Sequence, residues 1–286
     1  LPDGDLLYTG VGGDRLAYML HHRGHTHTVV IALLGAALLW GAVMLLWRWR
    51  ARVRPDRSDS NWMAAAVFAA ALSHLLLDWT NSYGIHPFWP FDNRWLYGDA
   101  VFIVEPWFWV VAVPALVAAT TSRVARVLLS LILVAGLVLA WRVDIVATGA
   151  AAGLTVGAVL SIVLARMLTA GRRIAVAVAA WVAVTLAMAT GSALARAEVV
   201  RAVEVHAPGT TLLDVVVSPL PANPLCTTVI AVEREGATYR VVTARATGLP
   251  GIANAAACGS RGGAGAAFRP SSRLSTAGVH WGSEWS

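Results

Sequence analysis

The chain has 286 residues, of which 57% are hydrophobic and only 13% charged, against about 25% charged in an ordinary soluble domain. All 22 basic residues are arginine, and the formal net charge is +6. Many of these arginines lie in short stretches between apolar runs, a placement that sets membrane topology rather than binding nucleic acid, so no nucleic-acid partner is expected. The composition excludes a soluble enzyme and predicts a mainly α, polytopic helical membrane protein with membrane lipids as its surroundings.

In chain order, the first element is the polar stretch LPDGDLL, which opens without Met; a further segment, such as another membrane helix, is expected before residue 1. Next comes HHRGHTHT at 21–28, with four of the eight histidines, His21, His22, His25 and His27. Apolar runs near the roughly 20 residues that a bilayer requires follow at 29–47, 62–79, 101–119, 124–140, 146–166 and 174–195, about six spans in all. The run at 124–140 is the shortest, and Pro114 together with the Thr120–Arg126 turn leaves its start ambiguous. Thirteen tryptophans, several near span ends, read as interface anchors.

Arginine placement orients the spans. Arg48, Arg50, Arg52, Arg54 and Arg57 follow the first span, Arg123 and Arg126 the third, and Arg166, Arg172 and Arg173 the fifth, while the alternate loops hold only Arg94 and Arg142. The positive-inside rule puts the first set in the cytoplasm. HHRGHTHT, the 80–100 loop and everything after 196 then face outward from an inner, cytoplasmic membrane.

After the last span the composition changes. VVRAVEVHA, TLLDVVVSPLP and TTVIAVEREGATYRVVTAR read as short β-branched strands, the last pair joined by a hairpin turn at Glu235–Gly236. The expected organisation is a transmembrane domain at 1–197, an outward β-rich domain at 198–247 and a flexible Gly/Ala/Ser-rich tail at 248–286. Two cysteines, Cys226 and Cys258, are too few for a disulfide scaffold or a Cys-based zinc site; one bridge and two free thiols both stay open.

The residues able to do chemistry gather near span ends. In SHLLLDWTNSYG, His74 and Asp78 are four apart and so share one helix face, where they can ligate one ion or form a ligand and its supporting partner. A buried His–Asp hydrogen bond between helices would look the same. The topology brings this pair to the membrane face that carries the histidine cluster. Asp3 and Asp5 in PDGD offer two more carboxylates, and Asp99 and Glu105 in GDAVFIVEP two others. Glu105, inside an apolar run, calls for a partner: Arg23, Arg94 or a metal. Imidazole with carboxylate suits Zn²⁺, Mn²⁺ or Fe²⁺ rather than thiolate-bound metals. Asp3, Asp5, His22, His27, His74 and Asp78 exceed what one tetrahedral ion needs, so two ions are expected, holding an oxyanion substrate and activating water. Arg23 has the planar fork suited to phosphate.

PDGDLL, HRGHTHT and HLLLDWTNSYG with the following Pro90–Phe91 together resemble the YdjM-like family of membrane-bound metal-dependent hydrolases, whose motifs run approximately PDxD, HRGxTHS and HxxxDxxxxYG. Order and spacing match through about residue 106, and SPLPANPL with its hairpin resembles the family's C-terminal segment. The resemblance implies metal ligation by Asp3, Asp5, His22, His27, His74 and Asp78, catalytic roles for Arg23 and Asp78, and secondary parts for Thr26, Asp99 and Glu105. His25 falls at a variable position and His21 outside the motif. Thr28 replaces Ser, Glu105 stands where Asp is expected, and the helix before PDxD is absent. Through its HxxxD signature the family is similar to the zinc phospholipase C and P1 nuclease group, which implies hydrolysis of a phosphoester, lipid or lipid-linked, by a metal-activated water with zinc, or manganese, as cofactor. The competing expectations are a divalent-metal transporter and a non-catalytic membrane scaffold.

Overall fold

The structure is a computed structural model and describes residues 25–51, 55–236, 238–255 and 258. The chain forms two compact units, residues 1–98 and 99–286.

The first unit is built on two packed helices, α1 (Val29–Ala51) and α2 (Arg57–Thr80). Thr28 starts α1: its hydroxyl accepts the Ile31 N–H at 3.1 Å, supplying one of the donors that a helix N-terminus leaves unmet. Serine would do the same, so the departure at Thr28 keeps the function of that position. Asp56 caps α2 through the Asp59 N–H at 2.7 Å. Between the helices Trp40 Nε1 donates to Ser60 O at 3.2 Å. Elsewhere α1 presents apolar side chains outward, Leu38 and Leu45 being 76% and 69% exposed, as a lipid-facing surface requires.

The second unit contains α3 (Pro106–Ala119), α4 (Arg123–Arg142), α5 (Thr148–Met167), α6 (Ala170–His206) and strands β1 (Thr211–Leu220), β2 (Asn223–Glu235) and β3 (Thr238–Ala246). Helices α3, α4 and α5 enclose a core of Val110, Val113, Leu133, Ala151, Leu154 and Ala158. Trp107 packs on it and donates from Nε1 to Ala222 O at 3.2 Å.

The chain is thus a mainly helical membrane protein with a small C-terminal sheet, and five helices, α1, α2, α4, α5 and α6, are long and apolar enough to cross a bilayer. The expected span at 101–119 is the exception. Glu105 and Pro106 fix the helix start, because Glu105 accepts the Trp107 N–H and Pro takes the first helical position. What remains is 14 residues, about 21 Å at 1.5 Å per residue, shorter than a hydrocarbon core of about 30 Å. The shortest segment is therefore α3 and not 124–140, which belongs to a 20-residue helix.

A second correction concerns VVRAVEVHA. It is the end of α6, a helix of 37 residues, and not a strand. Ala195, Val199 and Val203 recur every fourth residue and are buried, which is the repeat of one helix face; it outweighs the β-branched composition. At 1.5 Å per residue α6 is about 55 Å long, so it extends past a bilayer and carries the sheet on its far end. The sheet is an antiparallel meander in the order β1-β2-β3. The register pairs Val217 with Val229, Val215 with Ala231, and Ala231 with Val242, and these alternate residues form one buried face against Ala195 and Val199. Glu235 and Gly236 close the β2–β3 hairpin, as expected, with Gly236 at φ 59°. Gly191 lets α6 pass the start of β2, since a Cβ there would lie 1.8 Å from Pro224 O. Cys226 and Cys258 form a disulfide with Cα atoms 5.5 Å apart, so of the two states left open the bridged one holds.

Candidate metal centre

The first unit assembles three of the expected ligands. His27 is the residue before the α1 cap, and His74 and Asp78 lie one turn apart near the end of α2. His27 Nε2 is 3.0 Å and His74 Nε2 3.1 Å from the same atom, Asp78 Oδ2. One ligand atom from each of the three residues lies within 4.8 Å of the others. The imidazole rings are tilted at 5.5 Å between centroids. His27 is fully buried and His74 retains 37% exposure, while the three facing atoms, both Nε2 atoms and Asp78 Oδ2, are themselves buried.

The surroundings orient these ligands. Thr26 Oγ1 lies 3.0 Å from His27 Nδ1, which leaves Nε2 to face Asp78, the arrangement that fixes a ligating imidazole. Asn81, buried at the C-terminal cap of α2, donates from Nδ2 to Asp78 Oδ1 at 3.4 Å and accepts the Tyr83 N–H at 2.9 Å. The segment 81–98 then folds back. Val29 N–H donates to Pro87 O at 2.9 Å, and Ile85 and Leu96 exchange two backbone bonds of 2.9 Å. Gly84, at φ 73°, permits the reversal, and a Cβ there would meet the Tyr97 ring at 2.5 Å. His86 stacks on Trp95 at 5.2 Å, and His25 packs against Trp89 at 4.8 Å. His25 is thus engaged with an aromatic ring, apart from the ligand group.

The sequence placed Thr26 among the secondary candidates but did not single out Asn81. Its signal was present, since Asn81 follows Asp78 by about one helical turn in the run that ends α2, where an amide can cap a helix and brace the acid. Asp3, Asp5, His22 and Arg23, together with His21, lie outside the described residues.

Asp99 and Glu105 belong to the second unit, where each has structural partners. Asp99, buried and at φ 49°, accepts from Arg196 NH2 at 2.8 Å and from the Val217 N–H at 3.4 Å, tying the start of the unit to α6 and β1. Glu105, 2% exposed, accepts the Trp107 N–H at 3.1 Å and the Ala222 N–H at 3.2 Å. Its partners among the described residues are these two backbone amides; Arg23, one of the expected partners, lies outside the described residues. Arg94 donates instead to Asp92, at 2.6 Å from NH2, and that hydrogen bond holds the Asp92 carboxyl below its usual range.

Two imidazole nitrogens and one carboxylate oxygen converging on a small volume form a donor set that fits a divalent ion such as Zn²⁺. These features define a polytopic helical membrane protein with a His₂Asp group at the ends of two helices. The chain belongs to the YdjM inner membrane protein family, whose profile matches residues 1–147, a span that includes His27, His74 and Asp78. No curated protein and no solved structure was found to match it.

Proposed function

We propose that this inner membrane protein is a metal-dependent hydrolase acting on a phosphoester, lipid or lipid-linked, at the outer face of the membrane. The observation that carries the reading is the convergence of His27 Nε2 and His74 Nε2 on Asp78 Oδ2, at 3.0 and 3.1 Å. A divalent ion held there supplies Lewis acidity and lowers the pKa of bound water. His27, His74 and Asp78 bind it, and Thr26 and Asn81 hold the ligands in orientation. Asp3, Asp5 and His22 complete a second ion's ligands in this reading, and Arg23 binds the phosphate.

Position favours hydrolysis over transport. The three ligands flank helix ends, His27 before Val29 and Asp78 two residues before Thr80, whereas a transporter's ligands lie near mid-span. The Cys226–Cys258 bridge supports an outward C-terminal sheet, because disulfides persist in oxidising compartments.

The test is metal analysis of the purified chain and of His27→Ala and His74→Ala, each assayed with a chromogenic phosphodiester. We expect bound zinc or manganese and metal-dependent hydrolysis in the wild type, both lost in the variants. Metal content unchanged from the wild type in both variants overturns the site. Metal loss in the variants with no hydrolysis by the loaded wild type overturns the enzymatic reading in favour of transport.

A further inference from the structure

Five arginines lie at neighbouring helix ends of the second unit. Arg123 and Arg126 lie at the start of α4, Arg166 at the end of α5, and Arg172 and Arg173 at the start of α6. The links 120–122 and 168–169 are short, so these ends adjoin the C-terminus of α3. Arg173 fastens them, donating to Ala118 O at 3.1 Å and to Leu168 O at 3.2 Å. Arg126 donates to Thr121 O at 3.3 Å. Arg123, Arg126, Arg166 and Arg172 are exposed.

Among the described residues of this unit, no carboxylate lies on the segments that carry them. The chain has no Asp or Glu in 106–143 or in 145–197. Asp99, Glu105 and Asp144 lie before α3 and between α4 and α5, at the opposite ends of those helices. Like charges gathered without counter-charge create a field that recruits anions.

An apolar groove of about 290 Å³ runs between α3 and α6 and begins at Ala119 and Ile174, the residue after Arg173. Facing alanines make the space: Ala112 and Ala115 on α3, and Ala177 on α6, with Leu116 and Val178 at its sides. Trp181, packed on Phe108 at 5.1 Å, lines its far part, about 12 Å along the helix from Arg173. A cationic rim above an apolar slot is complementary to an anionic headgroup on an acyl chain; free phosphate would satisfy the rim alone, and a neutral lipid the slot alone.

We infer that this end of the protein binds an anionic phospholipid, its headgroup among Arg123, Arg172 and Arg173 and one acyl chain in the groove between α3 and α6. The site lies in the second unit and uses none of the residues of the His₂Asp group.

The experiment uses the full chain in detergent, with lipid retention followed by native mass spectrometry and the unfolding midpoint followed on adding phosphatidylglycerol, phosphatidylcholine or inorganic phosphate. Phosphatidylglycerol should be retained over phosphatidylcholine by roughly fivefold for each arginine engaged, and should raise the midpoint where inorganic phosphate does not. The double variant Arg123→Gln/Arg172→Gln should lose that preference. Ala177→Leu, which fills the groove with every arginine in place, should lose retention; Ala112→Leu reads the same property if the first does not fold. Equal retention of the two lipids overturns the inference. So does a midpoint shift reproduced by inorganic phosphate, or a folded groove-filled variant that keeps phosphatidylglycerol as well as the wild type.

Discussion

His27, in the segment before α1, and Asp78, in the last turn of α2, meet at 3.0 Å between Nε2 and Oδ2. Neither residue could be paired with the other by local spacing. The packing of α1 on α2 and the return of 81–98 to Val29 join them, so the group depends on contacts between segments distant in the chain.

Not every histidine of the HHRGHTHT cluster should matter. His25→Ala is expected to keep metal at the wild-type level, because its ring packs on Trp89 and takes no part in the group of His27, His74 and Asp78. Metal analysis beside His27→Ala decides it; equal loss in both would assign His25 a ligand role.

Asn81→Ala should fold and still bind metal, but about 10- to 100-fold more weakly, the usual cost of removing a residue that orients a ligand. Titration with a competing chelator measures this. An unchanged affinity would reduce Asn81 to a helix cap.

Glu105→Ala removes the N-terminal cap of α3 and strands the Ala222 amide. We expect a stability loss of about 2 kcal/mol, read by thermal unfolding in detergent, with metal content unchanged. Loss of metal at unaltered stability would return Glu105 to the list of ligands.

The Cys226–Cys258 bridge closes a segment with a sequence separation of 32. By loop-closure entropy, replacing both cysteines with Ser should cost about 3–4 kcal/mol. Altered mobility on non-reducing gels and a lower unfolding midpoint check this; a wild-type midpoint would show the bridge to be dispensable.

Two glycines should respond oppositely to alanine. Gly191→Ala drives a methyl against Pro224 O, 1.8 Å from an ideal Cβ, and should lower stability by about 1–3 kcal/mol. Gly136 has nothing within 4 Å of its ideal Cβ, so Gly136→Ala should be neutral or stabilising by up to about 1 kcal/mol. Paired melting curves compare them.

The sequence by itself determined the membrane class, most of the spans, the β2–β3 hairpin and the His74/Asp78 pair. Each rests on a short-range quantity: summed hydropathy, a turn dipeptide, or a four-residue spacing that a helix turns into proximity. It also picked out His27 by its motif. Tertiary structure decided the rest. The start of α3 depends on Glu105 meeting Trp107 and a distant amide at Ala222, and the helical end of α6 on a buried stripe that needs the sheet to cover it. Only the folded chain distinguishes Asp99, engaged by Arg196 and Val217, from Asp78, engaged by two imidazoles. A carboxylate's role follows from the groups that surround it, and those come from residues far away in the chain.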